Sequence, residues 1–156
     1  ESKLEDFQKV MDINTWVAIN LTKLFLNKMI NNGWGRIINI ASIYGRELGG
    51  SAPYMAAKAA LIAATKHTAI NLAKTGVTVN CIAPGSIKHH KGSWEKFVNS
   101  NSKEVVNNFI ENNLPMGKFG NPEAVGDTVA FLASVNSSMI LGTCLNVDGG
   151  QSNNLF

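Results

Sequence analysis

The sequence predicts an α/β domain built on a doubly wound parallel sheet. Three observations predict it. Short, β-branched, mostly apolar runs at "RIINIA" (36–41) and "GVTVNCIA" (76–83) have the composition of strands buried on both faces, and "TCLNVDGG" (143–150) reads as a last strand. Longer segments with apolar residues at helical spacing precede and separate these runs. The first two runs end in a glycine-rich loop and in Pro84–Gly85. Strands alternating with helices pair in parallel through right-handed crossovers. The carboxyl ends of the strands then share one rim, and ligands of open α/β sheets bind beyond such a rim.

The elements follow in order. Leu4, Phe7, Val10, Met11, Asn14, Val17, Leu21, Leu24 and Phe25 trace one amphipathic helix up to a glycine stop at Gly33. The first strand leads into the loop "SIYGRELGGSA". Pro53 suits a first helical turn, and the helix it opens runs to about Lys74. After the second strand, residues 86–115 are polar, carry His89–His90, Trp94 and Phe97, and hold a short helix near 102–112. A connection this long in a compact domain is usually functional, so 86–115 is read as a substrate lid. "NPEAVGDTVAFLAS" (121–134) opens with Asn121 as N-cap and Pro122 in the first turn. No internal repeat or linker divides residues 1–156, which make one domain.

Composition narrows the function classes. Apolar residues are 45% and charged residues 16% of the chain, as in globular proteins. The net charge of +3 comes from scattered basic residues, a pattern that does not suggest nucleic-acid binding. No apolar run reaches the roughly 18 residues of a membrane span. The opening "ESKLEDFQKV" lacks a charged-then-apolar signal pattern, and a cytoplasmic location is expected. Cys81 and Cys144, far apart in sequence and set in apolar runs, read as core thiols rather than a disulfide or metal pair. His89–His90 has no cysteine or carboxylate cluster beside it, so no metal is expected.

The chemistry concentrates at "PYMAAKAALIAATK" (53–66). Tyr54 and Lys58 are one helical turn apart and share a face. Tyrosine, with a reference pKa near 10, is a weak acid or base at neutral pH. A neighbouring ammonium favours the phenolate. Ser42, at the end of the first strand, is placed to hold the same substrate oxygen. Arg46 and Lys88 are solvated charges or contacts for an anionic substrate. Tyr44 and Trp94 are candidates to line a substrate pocket, and His67 lies mid-helix.

Together "GRIINIAS", "YMAAK", "VTVNCIAPG" and "LNVDGG" resemble the short-chain dehydrogenase/reductase family in its single-domain form, related to 3-oxoacyl-carrier-protein reductases. The resemblance spans essentially the whole chain and implies a Rossmann-type fold with NAD(P)-dependent interconversion of ketones and alcohols. It implies that Tyr54 is the catalytic acid/base and that Ser42 orients the substrate carbonyl or hydroxyl. Lys58 would lower the tyrosine pKa and bind the nicotinamide ribose. Asn14 matches the family asparagine that bends its helix and supports a proton-relay water. Pro84, Gly85 and Ile87 match the segment at the nicotinamide, with NADPH as cofactor if reduction is the direction. A small carbonyl or alcohol substrate is implied, with a homodimer or homotetramer formed through helices 3–32 and 54–74.

Two departures from the family pattern stand out. The glycine turn and first βαβ units are not among these 156 residues, so the chain reads as the C-terminal part of one such domain. Many relatives carry threonine four residues after Pro–Gly, where this chain has His89. A non-catalytic oligomerising subunit and a reductase of a sugar or polysaccharide precursor are the alternatives.

Overall fold

Three parallel strands in the order β1–β2–β3 form the sheet of the computed structural model, which describes residues 2–155. They are β1 (Gly35–Ile40), β2 (Val77–Pro84) and β3 (Cys144–Val147). Gly35 stands opposite Val77 and Ile40 opposite Ile82, while Cys81 stands opposite Cys144 and Pro84 opposite Val147. The central strand β2 is buried from Val77 to Ala83, which its continuous apolar run requires.

Helices α1 (Leu4–Met11), α2 (Val17–Asn31) and α3 (Ala52–Leu72) gather on one side. Val77 and Val79 meet Ala69 and Leu72 of α3, with Met29, Ile30 and Ile37 around them. The buried stripe of α3 (Ala57, Lys58, Leu61, Thr65, Ala69 and Leu72) follows the helical period. The turn before β2 presses on the turn before β1. Gly76 has φ of 79°, and a Cβ there would lie 2.0 Å from the Gly33 carbonyl oxygen, so only glycine fits.

The first helix is not one regular rod. A π-helical turn, Asp12–Trp16, separates α1 from α2. It turns Thr15 inward, 1% exposed, where its hydroxyl donates to the Ala57 carbonyl of α3 at 2.8 Å. Apolar spacing alone does not reveal such a turn, because an insertion of one residue leaves the stripe nearly continuous.

Residues 86–115 hold more structure than their polarity suggests. Ile87 bridges to Gly120, and two helices follow, α4 (Ser93–Ser100) and α5 (Lys103–Asn113). The second lies where the sequence predicts a short helix; the first has no such signal. Trp94, Phe97, Phe109 and Phe119 pack on one another, with Trp94 4.8 Å from Phe109 and 5.3 Å from Phe119 between ring centres. These aromatic contacts hold the two short helices to the segment before α6 (Pro122–Ala133). Asn121 caps α6 by accepting from Ala124 N–H at 3.0 Å, as expected.

The third strand stops at Val147 rather than running to 150. Asp148 ends it by accepting from the N–H groups of Gly150 and Ser152. Behind the strand, Asn80, 1% exposed, donates to Ile140 O at 2.9 Å and accepts from Thr143 N–H at 3.1 Å. It thus replaces the missing ladder where the chain enters β3. An Asn80→Ala variant leaves two part-buried backbone groups without their partner; a loss of about 1–3 kcal/mol is expected in urea unfolding, with a loss under about 0.5 kcal/mol contradicting this role.

Candidate active site

The end of β1 and the start of α3 build the site. After Ile40 the chain continues in extended form, and Ala41 N–H still bonds Ile82 O at 2.7 Å. Ser42, 6% exposed, caps a short 3-10 turn, Ile43–Gly45, its hydroxyl oxygen accepting from Tyr44 N–H at 3.2 Å. That turn lies flat on α3. A Cβ at Gly45 would stand 2.8 Å from the Lys58 carbonyl carbon and 3.0 Å from Ala59 N, so the loop approaches as closely as backbone allows. Pro53 starts α3 at its first turn.

Lys58 is buried, 8% exposed. Its Nζ donates to the Ile40 carbonyl at 2.8 Å and sits 5.6 Å from the centre of the Tyr54 ring. Burial pushes the Lys58 ammonium below its ordinary pKa. One donated bond leaves two ammonium N–H groups for other acceptors. Tyr44, half-buried beside Glu47 and Tyr54, has its phenol pushed up by burial, then by those two neighbours, so it stays protonated at neutral pH.

A cleft of about 410 Å³ brings together Asn14, Ser42, Tyr44, Tyr54, Gly85 and Trp94. Asn14 reaches it from the π-helical turn, its amide donating to Val10 O at 3.0 Å. Lys58 lies behind this cleft and lines a second hollow with Asn14, along β1 and α2. Pro84 closes β2, and Gly85 N–H bonds Val147 O at 3.1 Å. Ile87 faces away, into a hollow of about 430 Å³ shared with Phe119 and Asp148.

Sequence reasoning missed the residues that hold the rim. Gln151 Oε1 accepts from Ser86 N–H at 2.7 Å. Glu47 accepts from the Ser152 hydroxyl at 2.9 Å and from Asn153 N–H at 3.1 Å. These bonds tie the loop after β1 and the Pro84–Gly85 turn to the chain after β3, and "VDGG" is the only sequence signal for them. Arg46 points inward to Cys144 O at 3.3 Å and to Asn146, so it is not a solvated charge. Lys88, His89 and His90 are exposed, and His90 pairs with Glu95 at 3.3 Å. His67 is exposed. Among the described residues no group of three or more His, Cys, Asp or Glu side chains could hold a metal ion, and no helix is long and apolar enough to cross a membrane.

With this geometry, the relatives are informative. A family model described as enoyl-(acyl carrier protein) reductase matches residues 1–152. The chain is 43% identical over 150 residues to a 3-oxoacyl-[acyl-carrier-protein] reductase of Rickettsia bellii, and 41% identical over 152 residues to the Synechocystis enzyme of that name. It spans 96% of its own length in both matches but 59% and 57% of those relatives. Among solved structures it superposes on a 3-oxoacyl-[acyl-carrier protein] reductase from Brucella melitensis with TM-score 0.87 at 29% identity, covering 99% of this chain and 56% of that one. A gluconate 5-dehydrogenase from Burkholderia cenocepacia in complex with NADP and tartrate gives TM-score 0.87 at 26% identity, covering 99% of this chain and 59% of that one. The chain therefore belongs to the short-chain dehydrogenase/reductase family, on its 3-oxoacyl-carrier-protein-reductase-like side.

Lys58 carries a pH test of its burial. A lysine whose folded pKa lies below its unfolded value takes up protons on unfolding, so its burial opposes folding in full below the folded pKa, less as pH rises past it, and no longer above the unfolded value. The stability of wild type relative to Lys58→Met should thus rise as pH climbs toward the ordinary lysine range near 10.4. Paired thermal melts across pH 7–10 check it; a difference that falls with pH contradicts it.

Proposed function

We propose that this chain carries the proton-transfer part of an NAD(P)-dependent oxidoreductase that interconverts a ketone and a secondary alcohol, with a 3-oxoacyl thioester as the favoured substrate class. The observation that carries the reading is the meeting of Ser42 and Tyr54 in one cleft, with the Lys58 ammonium behind the tyrosine ring. Identity of 43% to a 3-oxoacyl reductase supports the substrate class.

Each residue has a task that its position allows. Tyr54 donates its phenolic proton to the substrate oxygen in reduction and takes it back in oxidation. Ser42 donates a hydrogen bond to the same oxygen and fixes its direction. Lys58 stabilises the phenolate left behind, and its free N–H groups, with the Tyr54 hydroxyl, fit the hydroxyls of a ribose. Asn14, on the wall between both hollows, holds a water through which Lys58 can be reprotonated. Pro84 and Gly85 shape the nicotinamide side. Ile87 serves there through its backbone, since its side chain points elsewhere. A nicotinamide, when bound, supplies or accepts the hydride at the carbon. The residues present thus fit the ribose end of such a cofactor; NADPH is the form for reduction.

Trp94 and Tyr44 line the substrate side, and residues 86–115 form its lid. The exposed Leu21, Leu24, Phe25 and Ile70 support a homodimer or homotetramer through α2 and α3. A cytoplasmic setting accords with this chemistry.

The decisive variant is Tyr54→Phe, made in a chain extended to the length of its relatives. Loss of a positioned proton donor should lower turnover by at least ~100-fold, while fluorescence titration shows nicotinamide binding within a few-fold of wild type. Undiminished turnover would exclude Tyr54 as the proton donor.

A further inference from the structure

The two cysteines, separated in sequence by all of residues 86–115 and by α6, are neighbours in the sheet. Cys81 of β2 and Cys144 of β3 are register partners. In-register residues of adjacent parallel strands project to the same face, here the face on which Val77 and Val79 meet Ala69 and Leu72 of α3. Both are free thiols. Neighbouring strands lie about 4.8 Å apart, inside the ~4.4–6.8 Å Cα range that a disulfide accepts.

Their surroundings differ. Cys81 is 1% exposed and its thiol donates to Thr143 O at 3.5 Å. Cys144 is only partly buried, and the Arg46 guanidinium lies beside it, bonding its carbonyl at 3.3 Å. The Cys144 thiol is pushed down, first by the neighbouring Cys81 thiol and also by Arg46, against the opposing effect of burial. The Cys81 thiol is pushed strongly up, first by the Cys144 thiol beside it and then by burial. The less buried of two register-paired thiols therefore stands beside a guanidinium and next to a fully buried partner, an arrangement that suits an attacking and a resolving cysteine.

We infer that Cys144 and Cys81 form a peroxide-oxidisable dithiol pair within the sheet. In the first step the Cys144 thiolate attacks one oxygen of hydrogen peroxide. The S–O bond forms, the O–O bond breaks, and hydroxide leaves to take up a proton as water. Sulfur loses two electrons and peroxide gains them. In the second step the Cys81 sulfur attacks the Cys144 sulfenic sulfur. The S–S bond forms, the S–O bond breaks, and the hydroxyl leaves with the Cys81 proton as a second water. Arg46 follows directly on the turn of Ser42 and bonds both the Cys144 carbonyl and Asn146. Oxidation is thereby joined to the catalytic loop by one side chain. The pair stands apart from the assignment of Tyr54 and does not rest on it.

The test is made on the reduced full chain, treated with hydrogen peroxide and read by thiol counting and mass spectrometry. Both thiols should disappear with the loss of two hydrogens' mass, a peptide should join Cys81 to Cys144 within one chain, and dithiothreitol should reverse both. In Cys81→Ala, dimedone should trap Cys144 as the sulfenic acid. In Cys144→Ala, Cys81 should stay unmodified. Circular dichroism checks that both variants fold, and the wild-type arm stands without them. Two persistent thiols in wild type, a cross-link only between chains, or Cys144 passing to sulfinic acid without a disulfide would each overturn the inference.

Discussion

One hydrogen bond organises the site: the buried ammonium of Lys58 donating to the Ile40 carbonyl at the end of β1. A buried charge is costly unless it is bonded, so the first turns of α3 must stay against the strand end. One residue earlier, the Ala57 carbonyl accepts from Thr15 of the π-helical turn. The start of α3 is thus held from two directions, by the sheet and by the first helices. Ser42 follows Ile40 by two residues and Tyr54 precedes Lys58 by one turn. Fixing the lysine therefore fixes the distance between the serine and the tyrosine, and the glycine at 45 lets the loop settle directly on the helix.

The opposite wall depends on the end of the chain. Asp148 stops β3, Gln151 holds Ser86, and Glu47 takes Ser152 and Asn153. The loop after β1 and the turn after β2 are therefore fastened to the same terminal segment. Above them the aromatic group of Trp94, Phe97, Phe109 and Phe119 secures the two short helices α4 and α5. Trp94 belongs both to that group and to the cleft wall, so the segment is anchored where it borders the cleft.

Much of this is legible in the residues. The three runs became three parallel strands as expected, but only β2 is buried along its length; β1, read as buried on both faces, is an edge strand and mostly half-buried, as is β3. Asn121 and Pro122 mark the start of α6 within a residue. Ser42, Tyr54 and Asn14 come together because motif spacing encodes them. What stays hidden lies in interactions between distant segments. The π-helical turn depends on Thr15 meeting Ala57. Helix α4 gains its order from aromatic partners outside itself. Arg46 reads as a solvated charge until β3 supplies carbonyl and amide acceptors. Cys81 and Cys144 read as unrelated thiols until strand register sets them side by side.

The proposed chemistry turns on Tyr54 and Ser42 sharing one substrate oxygen. A crystal structure of the relative-length chain with a nicotinamide and an unreactive ketone analogue measures this directly. The analogue's carbonyl oxygen should lie within hydrogen-bond reach, roughly 2.6–3.2 Å, of both the Tyr54 hydroxyl and Ser42 Oγ, with the Lys58 ammonium still bonded to Ile40 O. A carbonyl bound in the cleft with its oxygen turned away from Tyr54 would contradict it.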